Sequence, residues 1–516
     1  MAGSQLTPEV IADLVPDLTA TSGGTADVMA PFTGEVLHAL PLSTVDDVRD
    51  AAERARLAQL AWQHAGFAHR RRVLLKAHDL LLERRQLLLD AVQSETGKTR
   101  GQAFEEVFQA ANVTRYYALT AQRVLRPESR RSAIPVVITT RVDVRPKGVV
   151  GVITPWNFPL SLSIMDVIPA LAAGNGVVQK ADNQGALSVL ASRRAFIDAG
   201  VPAELWQVVT GPGAEIGTAV TDVADYVCFT GSTATGRTVA KRAAERLVGV
   251  SLELGGKNPL LVLDDINPEK AAADAAYACF SSMGQLCVSI ERIIVHSAIA
   301  DDFIDAFVRR VEALSIGPAY DYTTDAGSLT LPSQLETVQR HVDDALAKGA
   351  TLLTGGRALP HLGPLFYAPT VLTDVTPEME CHSNETFGPL VSISIVDSEE
   401  EAIVAANDTS YGLNASILSG SIRRARRVAS ALESGSVNIN EGYRAAFSAI
   451  DAPMGGAKES GLGRRNGPEG LLRFVEQRTV SANTGIMSLP RTAEEFTPLV
   501  GVMVTLLVAL RTLRLR

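Results

Sequence analysis

The feature that most restricts the fold of this chain is a rhythm that begins at Gly148, where short apolar runs alternate with longer segments of helical pattern. The runs at 149–153, 177–179, 205–209 and 226–229 are too continuously apolar for strands with one wet face. Strands of that kind are buried on both faces, as in parallel sheets covered by helices. Helical segments at 187–199 and 213–221 separate them, so βαβ units are predicted. The rhythm returns after Pro259, with strands predicted at 260–263, 293–296, 350–353 and 391–396. The break between the two stretches falls near Glu253 to Pro259.

Before this region the text is helical from Thr44 to about Gln122. Val45, Val48, Ala51 and Ala52 recur at helix spacing, as do Leu74, Leu75, Leu80, Leu81 and Leu82. Residues 133–146 alternate apolar and polar side chains, which predicts a strand or hairpin not tied to the core. A chain of 516 residues exceeds one ordinary core, so two or more domains are expected. Its net charge of −9 argues against nucleic acid as a partner, and an anionic ligand would need a locally basic pocket. The four cysteines form no C-x-x-C pair, so neither a zinc site nor a disulfide framework is expected, and a reducing cytoplasm is. The N-terminal Met1-Ala-Gly-Ser4 lacks the order of a signal peptide. Residues 499–510 are nearly all apolar and precede Arg511, Arg514 and Arg516. That run is shorter than the roughly 20 residues a bilayer requires, so packing is expected and membrane contact is not.

Three residues stand out chemically. Cys287 lies in Gly284-Gln-Leu-Cys-Val-Ser289. A cysteine is ordinarily a small buried hydrophobe, and Cys228, Cys279 and Cys381 are read that way. Gly284 and Gln285 mark a turn that would admit a substrate to Cys287. A thiol attacks carbonyls as the thiolate, so it needs a base or a favourable dipole nearby. Glu253 sits between Leu252 and Leu254, before Gly255 and Gly256. It is either a surface residue at a strand end or a buried carboxylate with a raised pKa, usable as a general base. Asn157, in Thr154-Pro-Trp-Asn-Phe-Pro159, follows the apolar run 149–153. α/β sheets keep their ligands at that end of a strand. Its amide is either a turn former or a donor to an oxyanion. The glycines of 211–217 are one residue too widely spaced for a dinucleotide fingerprint. Residues 229–236 close a strand and open a helix, where free N–H groups suit a phosphate.

Together, Thr154-Pro-Trp-Asn-Phe-Pro159, Phe229-Thr-Gly-Ser-Thr-Ala-Thr-Gly236, Glu253-Leu-Gly-Gly-Lys257, Gly284-Gln-Leu-Cys287, Asn384-Glu-Thr-Phe-Gly-Pro389 and Gly455-Gly-Ala-Lys-Glu-Ser-Gly461 stand in the order and at the intervals of one family. The chain resembles the aldehyde dehydrogenase superfamily from about residue 33 to 483. The resemblance implies that Cys287 forms a thiohemiacetal and then a thioester. Asn157 and the Cys287 backbone N–H would hold the oxyanion, and Glu253 would activate water. It implies a nicotinamide dinucleotide, with Glu385 and Phe387 at the nicotinamide ribose, Lys180 at the adenosine ribose and Ser232 at the pyrophosphate. Thr154, Pro155, Trp156, Asn183, Gly211 and Gly231 complete the expected cofactor lining. It implies an α/β fold of three parts. These are a Rossmann-like cofactor domain (1–132 and 148–253), an α/β catalytic domain (254–437) and a small β oligomerisation element (133–147 and 478–486), followed by a tail (487–516). The strand near 479–483 is expected to pair with a partner subunit, giving a homodimer or homotetramer.

Two departures bear on specificity. The family often has Pro-x-Glu after the cofactor lysine, whereas this chain reads Lys180-Ala-Asp-Asn183. Asparagine in the glutamate's place removes a carboxylate that would repel a 2′-phosphate, a contact on the order of 1–4 kcal/mol near a surface. NADP is therefore expected, with NAD also accepted, unless Asp182 reaches the ribose. Within the family, Gly284 to Arg292, Gly363-Pro-Leu-Phe-Tyr367 and Glu378-Met-Glu-Cys381 resemble succinate-semialdehyde dehydrogenases of actinobacterial type. That implies oxidation of succinate semialdehyde to succinate. Other members grip the distal carboxylate with two arginines, and here Ser281 and Met165 stand in those places. Arg292 or Arg444 must then meet the anion, or the substrate is a less polar aromatic or medium-chain aldehyde. Glu253 argues for water rather than CoA or phosphate as acyl partner. The joint presence of nucleophile, donor and base argues against a non-catalytic protein on the same fold.

Overall fold

The computed structural model describes residues 6–514 apart from Pro135. The N-terminal residues read above for a leader, and Arg516, lie outside them. The chain divides into two compact units, one running up to Val124 and resuming at Pro146–Val475, the other formed by Leu125–Arg145 and the residues from Glu476 onward.

The first unit holds two largely parallel sheets. One has the order Gly461–Leu462, Gly249–Glu253, Tyr226–Thr230, Val149–Ile153, Gly176–Lys180, Trp206–Val209. Val149–Ile153 is buried at every position, as its unbroken apolar sequence requires. The strand order reverses at Val149–Ile153, which pairs with Gly176–Lys180 on one side and Tyr226–Thr230 on the other. Such a switch leaves a crevice at the carboxyl ends of the strands. The helix Val45–His64 starts at a capping box, in which Thr44 Oγ1 accepts from Asp47 N–H and Asp47 Oδ2 from Thr44 N–H. Its Val48, Ala51, Ala52 and Ala55 pack on Val149, Ile153 and Val178 of this sheet.

The other sheet has the order Thr351–Thr354, Thr370–Thr373, Leu390–Val396, Ile290–His296, Asn258–Val262, Asn414–Leu418, Ser436–Ile439. Only its first pair is antiparallel. The helices Pro268–Phe280 and Ala300–Glu312 cover it through Ala275, Phe303 and Phe307. The change of sheet falls between Glu253 and Asn258, inside the break expected from sequence. Residues 438–477 lie outside every expected domain, and past Ile439 they lead back to the first sheet. There Gly461–Leu462 pairs antiparallel with Leu252 and Glu253. The helix expected over 213–221 is interrupted, with a π turn at Gly213–Gly217 leading into Thr218–Val223.

The strands Val475–Asn483, Ile138–Pro146 and Glu128–Arg130, which but for Val475 and Pro146 belong to the second unit, form a three-stranded sheet in that order. The strand expected to seek a partner subunit thus has a neighbour in its own chain. It is an edge strand, and its outer side pairs with no other strand among the described residues. The tail differs from expectation. Thr492 and Glu495 form a capping box seven residues before the apolar run. The helix that starts there, Ala493–Thr512, has 20 residues and is long and apolar enough to cross a membrane. The apolar run alone was too short for that, but the helix containing it is not.

Candidate active site

Cys287 follows a left-handed turn in which Ser282, Met283 and Gly284 have φ of 49°, 55° and 71°. At Gly284 a side chain would stand 2.1 Å from Gly388 O, so only glycine passes. Asn258 ties down the following residues, its Nδ2 donating to Cys287 O at 2.8 Å and to Ser289 O at 2.7 Å. Cys287 lines a cavity of about 240 Å³ together with Asn157, Glu253, Glu385, Phe387 and Leu162. Burial pushes its thiol up to about 12, with the charges of Glu385 and Glu253 adding to the effect. The resting sulfur is therefore protonated, and a base or a positive charge must arrive for it to react.

Glu253 ends its strand beside Thr230 and Gly461. Its backbone carbonyl accepts from Gly231 N–H at 3.1 Å. Its Oε1 is buried without a hydrogen-bond partner. Burial pushes the carboxyl up to about 7, against the pull of Arg465 and Arg473. A buried carboxylate normally has its bonds filled, since an unmade one costs about 1–3 kcal/mol or more.

Asn157 is held at both ends. Its Nδ2 donates to Gln285 O at 2.9 Å, two residues before Cys287. Its backbone carbonyl accepts from Lys98 Nζ at 2.7 Å. Lys98 in turn meets Glu106 Oε1 at 2.6 Å. Glu106 Oε2 takes the free N–H groups of Leu160 and Ser161 at the start of the helix Pro159–Ala173, both at 3.0 Å.

Glu385 lies over the paired glycines. Gly256 N–H donates to its Oε1 at 2.9 Å, and a Cβ on Gly255 would stand 2.3 Å from its Oε2. Burial, then the charge of Glu291, pushes its carboxyl up to about 8. Phe387 has φ of 52° and sets its ring edge-on to Trp156. This strained turn is held by Glu291, which accepts from Phe387 N–H at 2.8 Å, from Thr386 N–H at 2.9 Å and from Lys257 Nζ at 2.5 Å.

A second cavity, of about 590 Å³, lies at the carboxyl ends of three strands of the first sheet, at Ile153, Lys180 and Thr230. It shares Pro155, Trp156, Thr230, Gly231 and Ser232 with the first. Thr154 lines it as well. Ser232 caps the helix Thr233–Glu245, its Oγ accepting from Thr235 N–H at 3.4 Å. Lys180 Nζ, buried in the wall, stands 4.0 Å from Asp182 Oδ2, beyond hydrogen-bonding distance. A buried ammonium, a capped helix N-terminus and two adjoining volumes fit a nicotinamide dinucleotide.

Two expected cofactor residues line neither cavity. Asn183 Oδ1 accepts from Gly211 N–H at 2.9 Å, so these two residues hold each other. Asp182, one residue earlier, lines the cavity instead, and its other oxygen caps the turn Asn183–Gly185. Neither arginine offered for a substrate carboxylate lines the Cys287 cavity. Arg292 donates to the carbonyls of Lys257, Ala405 and Ala406 at 2.9–3.0 Å and is a buried clamp. Arg444 is exposed, pairs with Glu441 at 2.9 Å and covers the ring of Tyr277. Ser281 lines a separate cavity of about 380 Å³ with Glu105, Tyr277 and Arg310. Glu105 there accepts the hydroxyls of Tyr443, at 2.7 Å, and Tyr277.

Sequence reasoning missed Lys98, Glu106, Glu291 and Asp166. Asp166 is fully buried and pairs with Arg465 at 2.5 Å and Arg473 at 2.6 Å. An acid inside a largely apolar run was the available signal for Asp166.

A nucleophilic sulfur, an amide and an unbonded carboxylate share one cavity, and a dinucleotide-sized space adjoins it. Residues 18–480 match the aldehyde dehydrogenase family, and the chain belongs to that family. It is 49% identical over 452 residues to a protein of Mycolicibacterium smegmatis provisionally named succinate-semialdehyde dehydrogenase (NADP+), covering 88% of this chain and 87% of that one. Among solved structures it resembles an Escherichia coli NADP-dependent enzyme, with a TM-score of 0.86 and 34% identity, over 90% of this chain and 96% of that chain. It also resembles betaine aldehyde dehydrogenase of Staphylococcus aureus in complex with NAD+. There the TM-score is 0.87 and the identity 31%, over 92% of this chain and 95% of that chain.

Proposed function

We propose that this aldehyde dehydrogenase oxidises succinate semialdehyde to succinate, with NADP as the preferred cofactor and NAD accepted. The observation that carries the catalytic reading is the meeting of Cys287, Asn157 and Glu253 around one cavity beside a second that suits a dinucleotide. The substrate and the NADP preference rest on the provisionally named relative.

Lys180, Ser232 and Glu385 are the residues that would hold the dinucleotide, at its adenosine ribose, pyrophosphate and nicotinamide ribose respectively. When bound, the oxidised nicotinamide supplies a hydride acceptor and a positive charge near the sulfur. Cys287 Sγ adds to the aldehyde carbon and its proton passes to the Glu253 carboxylate. Asn157 has one N–H committed to Gln285 O, which fixes the amide plane. Its second N–H, with the Cys287 backbone N–H, stabilises the developing oxyanion. Loss of hydride from the same carbon leaves a thioester on Cys287. Glu253 gives up the thiol proton to solvent and then takes a proton from water as the water oxygen attacks the thioester carbonyl. The carbon–sulfur bond then breaks, releasing the acid and returning the proton to the thiol.

The Cys287 cavity has no arginine in its lining, so a distal carboxylate must be met by uncharged donors such as Gln334 or by groups where the substrate leaves that cavity. The runner-up, a less polar aldehyde, is favoured by this one observation. Cytoplasmic placement belongs to the same reading, supported by four unpaired cysteines. So does assembly into a dimer or tetramer, supported by the open outer side of Val475–Asn483. The test is a panel of succinic semialdehyde, glutaric semialdehyde, benzaldehyde and medium-chain aldehydes, each with NADP and NAD. Highest kcat/KM for succinic semialdehyde with NADP is expected. A preference for benzaldehyde or a long aldehyde overturns the substrate, and equal or better efficiency with NAD overturns the cofactor.

A further inference from the structure

The helix Ala493–Thr512 lies beyond residue 480, where the match to the family ends, so the catalytic fold does not account for it. Its large apolar side chains are exposed, Val502 and Leu507 by more than 60%. They do not form one stripe. Phe496, Val500, Val504, Leu507 and Val508 cover one side of the helix, Val502 and Leu506 turn away from them, and Gly501, Thr505 and Ala509 fill the remaining arc. Between Glu495 and Arg511 there is no charge. A helix that lies on a membrane surface or along the outside of a protein keeps a polar face, and this exposed helix has none.

Lipid demands that every polar group be satisfied within the segment. Thr497 Oγ1 donates to Ala493 O at 2.9 Å, Thr505 Oγ1 to Gly501 O at 2.8 Å and Thr512 Oγ1 to Val508 O at 2.8 Å. Each hydroxyl in the helix is thus spent on its own backbone. The charges sit at the two ends. Glu494 and Glu495 stand in the first turn, while Arg511 in the last turn and Arg514 just beyond are long enough to reach phosphate headgroups. The 20 residues span about 30 Å, of which the charge-free stretch between Glu495 and Arg511 supplies about 22 Å and the charged turns at either end reach into the headgroup region.

We propose that this helix inserts into a phospholipid bilayer and anchors the enzyme there, with the arginines at its C-terminal end drawn up to anionic headgroups. A second copy of the chain is the competing occupant, and the missing polar face argues against it.

The test is flotation of the purified full-length protein with vesicles of phosphatidylcholine and phosphatidylglycerol. Aldehyde oxidation is assayed on the same fractions. The full chain should float, stay bound in high salt and resist extraction at alkaline pH. A full-length V504R/L507R variant should keep its activity and partition at least about a hundredfold more weakly, because an arginine at mid-helix is strongly disfavoured in the bilayer. Binding that high salt reverses would mean surface attraction and overturn insertion. Equal flotation of the variant would place the contact elsewhere. A full chain that stays in the dense fractions as an oligomer, which V504R/L507R dissociates, would assign the helix to subunit assembly.

Discussion

Two neighbouring regions of the first unit treat buried charge in opposite ways. Behind the cavity, Glu106, Glu291 and Asp166 have their oxygens filled by lysine, arginine and backbone N–H groups. Inside the cavity, Glu253 has an oxygen without a partner and Cys287 is a thiol pressed between burial and two carboxylates. The bonded carboxylates fix loops, and the unbonded one is left free to exchange a proton. A buried acid is therefore diagnosed by what it is denied, since satisfied and unsatisfied carboxylates look alike in the sequence.

The contrast is sharpened most by removing the sulfur. Cys287→Ala should abolish hydride transfer, a fall in kcat of at least ~10⁴-fold by analogy with the loss of other covalent nucleophiles. Single-turnover cofactor absorbance measures this. The same substitution at Cys279, fully buried against the second sheet, should leave turnover within a few-fold. If Cys279→Ala were the inactive variant, the assignment of the two cysteines would be reversed.

Glu253→Gln should slow hydrolysis of the thioester by about 10²–10⁴-fold. The first equivalent of reduced cofactor would still form, and intact-mass measurement should catch the acyl group on Cys287. With its carboxyl raised to about 7, Glu253 gains its base form as pH rises through that value. The hydrolytic step should accordingly run about tenfold slower at one pH unit below it. Stability moves the other way. The folded protein holds this proton more tightly than the unfolded chain does, so wild type loses stability as pH rises from about 4.5 to about 7. Glu253→Gln removes that loss, and should melt higher than wild type at pH 8 by an amount on the order of 1–3 kcal/mol. A variant less stable than wild type at pH 8 would mean that the carboxylate is structural after all.

The frame should answer in stability first. Glu291→Gln leaves the Lys257 ammonium buried without its counter-charge and weakens the hold on the turn at Thr386 and Phe387. A loss of about 3–5 kcal/mol in unfolding free energy is expected, read by urea denaturation. Glu385 and Phe387 sit on that turn, so KM for the cofactor should rise as well. Unchanged unfolding with a lost reaction would move Glu291 from the frame into the chemistry.

How much of this the sequence discloses depends on the range of the interaction involved. The strand Val149–Ile153 emerges at its full predicted extent, because five apolar residues in a row state their own burial. Cys287, Asn157 and Glu253 were legible from their motifs, whose glycines and prolines encode turns. Glu106 was not, because its partners Leu160 and Ser161 lie more than fifty residues away and its own helix reads as ordinary. The tail helix is longer than the apolar run 499–510 because the capping box of Thr492 and Glu495 starts it seven residues earlier, a signal that the run alone does not carry. At Asn183 the difference is one residue, since Asp182 just before it lines the cavity. Which of two adjacent side chains faces a cavity depends on the short turn that follows, and there Asp182 supplies the cap.

That offset sets the last and smallest effect. Asp182 and Lys180 line the larger cavity together, and their charges act oppositely on a phosphate at the adenosine ribose. Asp182→Asn keeps the oxygen that accepts from Gln184 N–H, so the turn should survive. It removes the repulsion, and the ratio of kcat/KM for NADP to that for NAD should rise about tenfold, the equivalent of ~1.4 kcal/mol. Lys180→Met should move the same ratio downward, because it takes away the ammonium and leaves the carboxylate. Opposite shifts in these two variants would locate the 2′-phosphate between the two side chains. If neither moved the ratio, NADP preference would have to come from another wall of the cavity, and Arg242, which also lines it while paired with Asp222 at 2.6 Å, would be the next residue to change.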